Sequence, residues 1–258
     1  MDYHKIAGLV RQAGALLQDE TQELEVTVKG RADFVTQMDV AVQEYLRREL
    51  QLAAPDVILI AEEQQRIYME PGHSYWILDP IDGTQNFIRR VGMSAISLAY
   101  CEGGVLQFGV IYNPFTEELF HAVRGQGAFL NGRSMQVTAS PALAESLMAI
   151  GTSPYDRQLI PQNWALFQAV HSRCLDVRRS GSAALDLAYV AAGRYDGYIE
   201  RNLKPWDMAA GILLVEEAGG RISDYAGQPV DVNKNSDICA SNGAIHGELL
   251  QLISQPRP

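Results

Sequence analysis

The chain has 258 residues, 47% of them hydrophobic and 20% charged, so it can bury a sizeable core as one large or two modest domains. Its formal net charge of −10 argues against nucleic acid or an anionic membrane as a main partner. No apolar run is long enough to cross a bilayer, and Met1 to Gln18 lacks a positive start followed by an unbroken apolar stretch, so a cytoplasmic location is expected.

In chain order, Ile6, Leu9, Val10, Ala13, Leu16 and Leu17 fall at helical spacing and predict an amphipathic first helix. A second is expected over residues 39–52, with Val42, Tyr45, Leu46 and Leu50 facing inward and Pro55 beyond its end. Residues 57–60 read as an apolar strand leading to Glu62-Glu63. Residues 76–78 read as a buried strand that stops where charge begins, at Asp79. Pro80 biases Asp79 toward extended geometry, and Gly83-Thr84 permit a tight turn into a short helix. Strands at 94–100 and 105–112 flank Glu102-Gly103-Gly104, a hairpin signal. Short strands at 118–123 and 135–137 follow, with a tight turn at Asn131-Gly132. This part reads as two helices over an antiparallel-leaning sheet.

The pattern changes near Pro141. Strands at 147–151, 176–179, 195–200, 221–225 and 238–241 alternate with helices at 163–171, 183–192 and 207–218 and a final helix, which suggests a smaller α/β unit. The expected division is an α+β part over 1–140 and an α/β part over 141–258, the boundary falling between Thr138 and Ser146 and the site in the cleft between them. No internal repeat, low-complexity run or Gly/Ser linker interrupts the chain. Cys101, Cys174 and Cys239 are odd in number and far apart, which points to free thiols.

The chemistry concentrates in carboxylates at element ends. Asp79 and Asp82 close a strand just before a helix start whose first N–H groups lack partners, an arrangement suited to cations together with a phosphate. Glu62-Glu63 ends another strand, and Asp207 opens a long apolar helix. Oxygen donors with no His or Cys nearby favour Mg²⁺ or Mn²⁺ over Zn²⁺. The acidic balance then fits a phosphate ligand, because two or three divalent cations neutralise Glu62, Asp79, Asp82 and Asp207 and attract the anion. Each piece has a plainer reading taken alone. Asp79-Pro80 is a common turn, Asp207 a helix cap, Thr36 and Asp39 caps of the second helix, Glu62-Glu63 a solvated strand end and Gly181-Ser182 an ordinary helix start. Glu216-Glu217 reads as a helix face, and the five scattered histidines as surface or packing residues.

Joint occurrence decides between them. Lys29-x3-Asp33-x-Val35-Thr36-x2-Asp39, Glu62-Glu63, Asp79-Pro80-Ile81-Asp82-Gly83-Thr84 and Trp206-Asp207-x-Ala209-Ala210-Gly211 appear in order. They resemble the inositol monophosphatase family of Mg²⁺-dependent, lithium-sensitive sugar and polyol phosphatases. A fifth stretch, Gly181-Ser182-Ala183-Ala184-Leu185-Asp186-Leu187-Ala188-Tyr189, resembles the family's substrate-side turn and helix. The resemblance covers nearly the whole chain and implies a layered α-β-α-β-α sandwich and a homodimer. It implies that Glu62, Asp79 and the carbonyl of Ile81 hold a first Mg²⁺ and that Asp79, Asp82 and Asp207 hold a second, with Glu62 helping a weaker third. It makes Glu62 and Thr84 the residues that orient an attacking water, with Asp39 accepting the Thr84 hydroxyl proton. Gly83 and Thr84 N–H groups face the phosphate, while Asp82, Glu200, Asp207 and the backbone of Gly181, Ser182 and Ala183 hold substrate hydroxyls. Lys29 and Asp33 fall on the family's mobile loop in supporting roles.

Departures bear on the substrate. Ala61 stands where the family has Gly, and Gln85 where it has a second Thr. Arg201-Asn202 follow Glu200, where relatives have an apolar or small residue and then Gly. Arginine binds phosphate or carboxylate bidentately, so the expectation is either a substrate with extra negative charge or a main physiological substrate other than inositol phosphate. Asn86-Phe87 favours an inositol or polyol monophosphate over the sibling substrates fructose 1,6-bisphosphate, 3′-phosphoadenosine 5′-phosphate and histidinol phosphate. A non-catalytic protein-interaction role on the same fold is the remaining alternative, and the intact carboxylate set argues against it.

Overall fold

Two amphipathic helices open the chain in the computed structural model, which describes residues 1–18, 24–30, 32–64 and 69–255. Helix α1 (Tyr3–Leu17) starts where the Asp2 side chain accepts the Lys5 N–H at 3.1 Å, and it buries Ile6, Leu9, Val10, Ala13 and Leu17. Helix α2 (Gln37–Ala53) buries Met38, Val42, Leu46 and Leu50 on one stripe. Between them β1 (Val26–Gly30) and β2 (Asp33–Thr36) form a two-stranded antiparallel hairpin, where the motif containing Lys29 and Asp33 gave no strand signal. Most residues of β1 are exposed, so no buried face marks it in the sequence.

The main sheet has seven strands in chain order. They are β3 (Ile58–Ala61), β4 (Ser74–Asp82), β5 (Ala95–Glu102), β6 (Val105–Asn113), β7 (Glu118–Val123), β8 (Gly127–Leu130) and β9 (Arg133–Met135). Only β3 and β4 pair in parallel. Strand β8 has no counterpart in the sequence reading; its four residues are too few to show a period. Strand β4 does not stop at the first carboxylate, as expected, but runs buried through Asp79-Pro80-Ile81-Asp82. Its register against β5 shifts between Asp79 and Asp82, and that irregularity accommodates a proline that has no N–H to give the ladder. Helix α3 (Thr84–Ile88) follows at once. Gly83 makes the turn at φ +85, and a Cβ there would meet the Met93 carbonyl oxygen at 2.9 Å.

The second sheet holds β10 (Leu147–Ile150), β11 (Asp176–Arg178), β12 (Gly197–Leu203), β13 (Arg221–Ser223) and β14 (Ser236–Ser241), in the order β11-β10-β12-β14-β13. Its helices are α4 (Ile160–His171), α5 (Ala183–Ala191), α6 (Pro205–Glu217) and α7 (His246–Ser254). Three apolar clusters define the layers. The first joins α1 and α2 to one face of the main sheet. The largest places α5 and α6 between the two sheets, and the third seats α4 and α7 on the far face of the second sheet. Every residue of α6 from Met208 to Val215 is buried, as expected of a helix that is apolar all round. At Gly109 the β6 backbone lies so close to α6 that a Cβ would meet the Ala210 carbonyl oxygen at 2.8 Å. The result is an α-β-α-β-α sandwich, with α6 driven between the sheets and its N-terminus delivered beside the end of β4.

Candidate active site

Strand β4 supplies Asp79 and Asp82, and α6 supplies Asp207. One carboxylate oxygen from each lies within 4.8 Å of the others, and all three residues are buried. Local structure fixes each in place. Asp79 Oδ1 accepts the Ile81 N–H at 3.0 Å, and Asp207 Oδ2 accepts the Lys204 N–H at 2.8 Å. Asp82 Oδ2 accepts the Ala184 N–H at 2.8 Å and the Ser182 hydroxyl. The plain reading of Asp207 as a helix cap is therefore right and incomplete: the same carboxylate caps α6 and joins the cluster. Glu62, just past β3, faces the same cavity.

Electrostatics in this cluster are severe. Burial, then repulsion from Glu62, Asp82 and Asp207, holds the Asp79 carboxyl well above the usual range. Burial and the charge of Asp82 do the same to Asp207. Burial pushes Glu62 up to about 8, with Lys29 opposing it, and Asp82 up to about 6 despite its bonds from Ser182 and Ala184. A hard divalent cation among these oxygens removes both the repulsion and the desolvation cost, so the donor set fits Mg²⁺ or Mn²⁺. Lys29 does not supply that charge to the trio; it pairs with Glu63.

Thr84, Ile81, Gly83, Gly181, Ser182, Ala183 and Glu200 line the same cavity, as expected. Asp39 does not. Its Oδ2 accepts the Thr36 N–H at 2.7 Å and the Thr36 hydroxyl at 2.6 Å, and burial lifts its carboxyl to about 6. The Thr84 hydroxyl, expected on Asp39, instead donates to the Ile81 carbonyl at 3.0 Å. Asp39 Oδ1 is buried with no hydrogen-bond partner. Ser182 is the N-cap of α5 and gives its proton to Asp82, so the Gly181–Ala183 turn locks α5 onto β4 as well as lining the cavity.

Arg201 is a correction. It does not reach the cavity: Nη1 lies 2.9 Å from Asp237, and the guanidinium sits 4.6 Å from the Tyr225 ring centroid. Asn202 takes the left-handed conformation, φ +56, where β12 loses register with β14, and its N–H reaches Asp237 Oδ1 at 3.0 Å. An asparagine tolerates that conformation better than most residues with a side chain. The guanidinium that does line the cavity belongs to Arg179, whose Nη2 meets Thr152 Oγ1 at 3.2 Å. Arg179, Tyr155 and Asp186 were all missed as site residues. Asp186 stood inside a quoted motif, but nothing in the local pattern around Arg179 or Tyr155 distinguished them.

A buried cage of oxygen donors at the meeting point of two sheets, one strand–helix turn and one helix N-terminus offers a hard cation a ready site, the kind of centre a metal-dependent phosphatase uses. Comparison with known proteins agrees. The model of the inositol monophosphatase family matches residues 3–256. The inositol-1-monophosphatase of Rhizobium meliloti is 41% identical over 239 residues, 93% of this chain and 90% of that protein. The Nus factor SuhB of Escherichia coli (strain K12) is also 41% identical, over 84% of this chain and 82% of its own. The crystal structure of the extragenic suppressor protein suhB from Bartonella henselae matches with a TM-score of 0.92 at 38% identity, covering 100% of both chains. The chain belongs to the inositol monophosphatase family.

Proposed function

We propose that the protein hydrolyses inositol monophosphate, or a closely related polyol or sugar monophosphate, with Mg²⁺ as cofactor and Mn²⁺ as a possible substitute. The convergence of Asp79, Asp82 and Asp207 within 4.8 Å carries this reading, and the name of the Rhizobium relative supports the substrate. Glu62, Asp79 and the Ile81 carbonyl hold one cation; Asp79, Asp82 and Asp207 hold a second; Glu62 helps a weaker third. When bound, these cations supply positive charge to the phosphoryl oxygens and lower the pKa of water. Glu62 and Thr84 orient the attacking water. Asp39 Oδ1, free of partners, is the acceptor this reading assigns to the Thr84 hydroxyl once the Ile81 carbonyl is engaged. The Gly83 and Thr84 N–H groups meet the equatorial phosphoryl oxygens during in-line displacement. Asp82, Glu200, Asp207 and the backbone of Gly181, Ser182 and Ala183 receive substrate hydroxyls.

The site falls between the 1–140 and 141–258 parts, and the enzyme acts as a cytoplasmic, lithium-sensitive homodimer. Phosphate release tests the reading, measured on inositol 1-phosphate, fructose 1,6-bisphosphate, 3′-phosphoadenosine 5′-phosphate and histidinol phosphate. The expected pattern is highest kcat/KM on inositol 1-phosphate, inhibition by Li⁺, loss with EDTA and loss in Asp82→Asn. Release that persists in EDTA, or a preference for one of the other three esters, contradicts it.

A further inference from the structure

The loop from Gly151 to Tyr155 is tied down more tightly than a surface loop needs to be. At Gly151 there is no room for a Cβ, because the Glu200 carboxylate occupies that space. The Ser153 N–H donates to Glu200 Oε1 at 2.8 Å, and its hydroxyl donates to the Arg201 carbonyl at 2.5 Å. Asn163 Nδ2 holds the Thr152 carbonyl at 3.2 Å, while Arg179 holds the Thr152 hydroxyl. Ser153 is forced to φ +46, a left-handed conformation that costs free energy in a residue other than glycine. Strain of that kind persists only where surrounding contacts over-determine it, and here they do.

What this anchoring delivers is Tyr155. The residue is 46% exposed, yet it lines the acid-rich cavity. Tyr155 shares the cavity wall with Glu62, Asp82, Glu200 and Asp207, and burial, then the charges of Asp207, Glu200, Asp82 and Glu62, push its pKa up. No hydrogen bond joins the Tyr155 hydroxyl to any described residue. A phenol donor on the wall of an acceptor-lined cavity suits a ligand that brings both an oxygen and a ring. Glu200, each of whose oxygens accepts one bond, from Ser153 and from Tyr198, also anchors the loop.

We propose that Tyr155 is a specificity-determining residue, its hydroxyl donating to a hydroxyl of the substrate and its ring covering the carbon skeleton of a cyclic polyol phosphate. The inference rests on the phosphatase reading above and adds a residue that reads the skeleton of its substrate. One neutral hydrogen bond is worth about 3- to 10-fold in binding.

The experiment compares inositol 1-phosphate with ethyl phosphate, an ester with neither ring nor free hydroxyl, in the wild-type enzyme with Mg²⁺ and in Tyr155→Phe and Tyr155→Ala. Tyr155→Phe is expected to raise KM for inositol 1-phosphate about 3- to 10-fold and to leave kcat and the ethyl phosphate parameters unchanged. Tyr155→Ala is expected to raise that KM further, with the thermal midpoint preserved. A wild-type enzyme that discriminates between the two esters, with both variants discriminating equally well, overturns the role of Tyr155. Equal losses on both esters overturn it too. A wild-type enzyme that cleaves neither ester overturns the phosphatase reading instead.

Discussion

Asp39 and Asp207 each sit at the third position of a helix, and each accepts the backbone N–H three residues earlier, from Thr36 at 2.7 Å and from Lys204 at 2.8 Å. Both are buried, and both stabilise orphan donors at a helix start. Their neighbours differ. Asp39 lies outside the carboxylate trio, and its carboxyl rises to about 6 through burial first and a smaller push from Glu63, against bonds from Thr36 that favour its charge. Asp207 stands among Asp79, Asp82 and Glu62, and its carboxyl is driven well above the usual range by burial and then by the charges of Asp82 and Glu62. A capping role is therefore no evidence against a ligand role. What separates the two is the company each side chain keeps, which local sequence does not show.

The largest effect expected from this contrast is on Asp207→Asn. The amide keeps the cap but removes one ligand charge, so kcat/KM should fall by about 10²- to 10³-fold, the equivalent of several kcal/mol of charge stabilisation. In EDTA the same variant should melt higher than wild type, because repulsion with Asp82 and Glu62 is relieved. Differential melting with and without Mg²⁺ checks both halves, and a lower apo midpoint breaks the comparison.

Asp39→Ala should lower apo stability where Asp207→Asn raises it. Loss of the reciprocal cap on α2 should cost about 1–2 kcal/mol of stability. The midpoint gain on adding Mg²⁺ should survive, since Asp39 lies outside the carboxylate trio. If that gain disappears, Asp39 belongs with the ligands after all.

The smallest effect is on pH dependence. Asp39 has a folded value of about 6 against an ordinary 3.8, so the native state keeps its proton longer than the unfolded chain. Its contribution to stability is fully present below 3.8 and is lost as pH rises through about 6. Asp39→Asn should flatten the fall in apo stability across that window, by at most about 1.4 kcal/mol per pH unit. Urea titrations at several pH values in EDTA read the difference; identical slopes for variant and wild type remove Asp39 as a buried titrating acid.

Most elements with a strong period were legible: α1, α2, the β5–β6 hairpin and the helix–strand alternation after Leu147 all fall where spacing placed them. The misses share a physical cause. Strand β4 was ended at Asp79 because charge normally ends a buried strand, whereas here a cluster of acids is carried to the centre of the molecule. The β1–β2 hairpin buries little, and β8 is too short to show alternation. At the site, Glu62, Asp79, Asp82 and Asp207 were legible from motifs. Arg201 was misplaced because its partner, Asp237, lies on another strand. Tyr155 and Arg179 were invisible because a folded loop, not a local pattern, brings them to the cavity.

The central claim is that carboxylates distant in sequence form one divalent-cation site. Crystals of the protein soaked in Mn²⁺ and measured at the manganese absorption edge test it directly. The account predicts an anomalous peak coordinated by Asp79, Asp82 and Asp207, lost in Asp82→Asn crystals. Peaks confined to other surfaces, with those three carboxylates uncoordinated, contradict it.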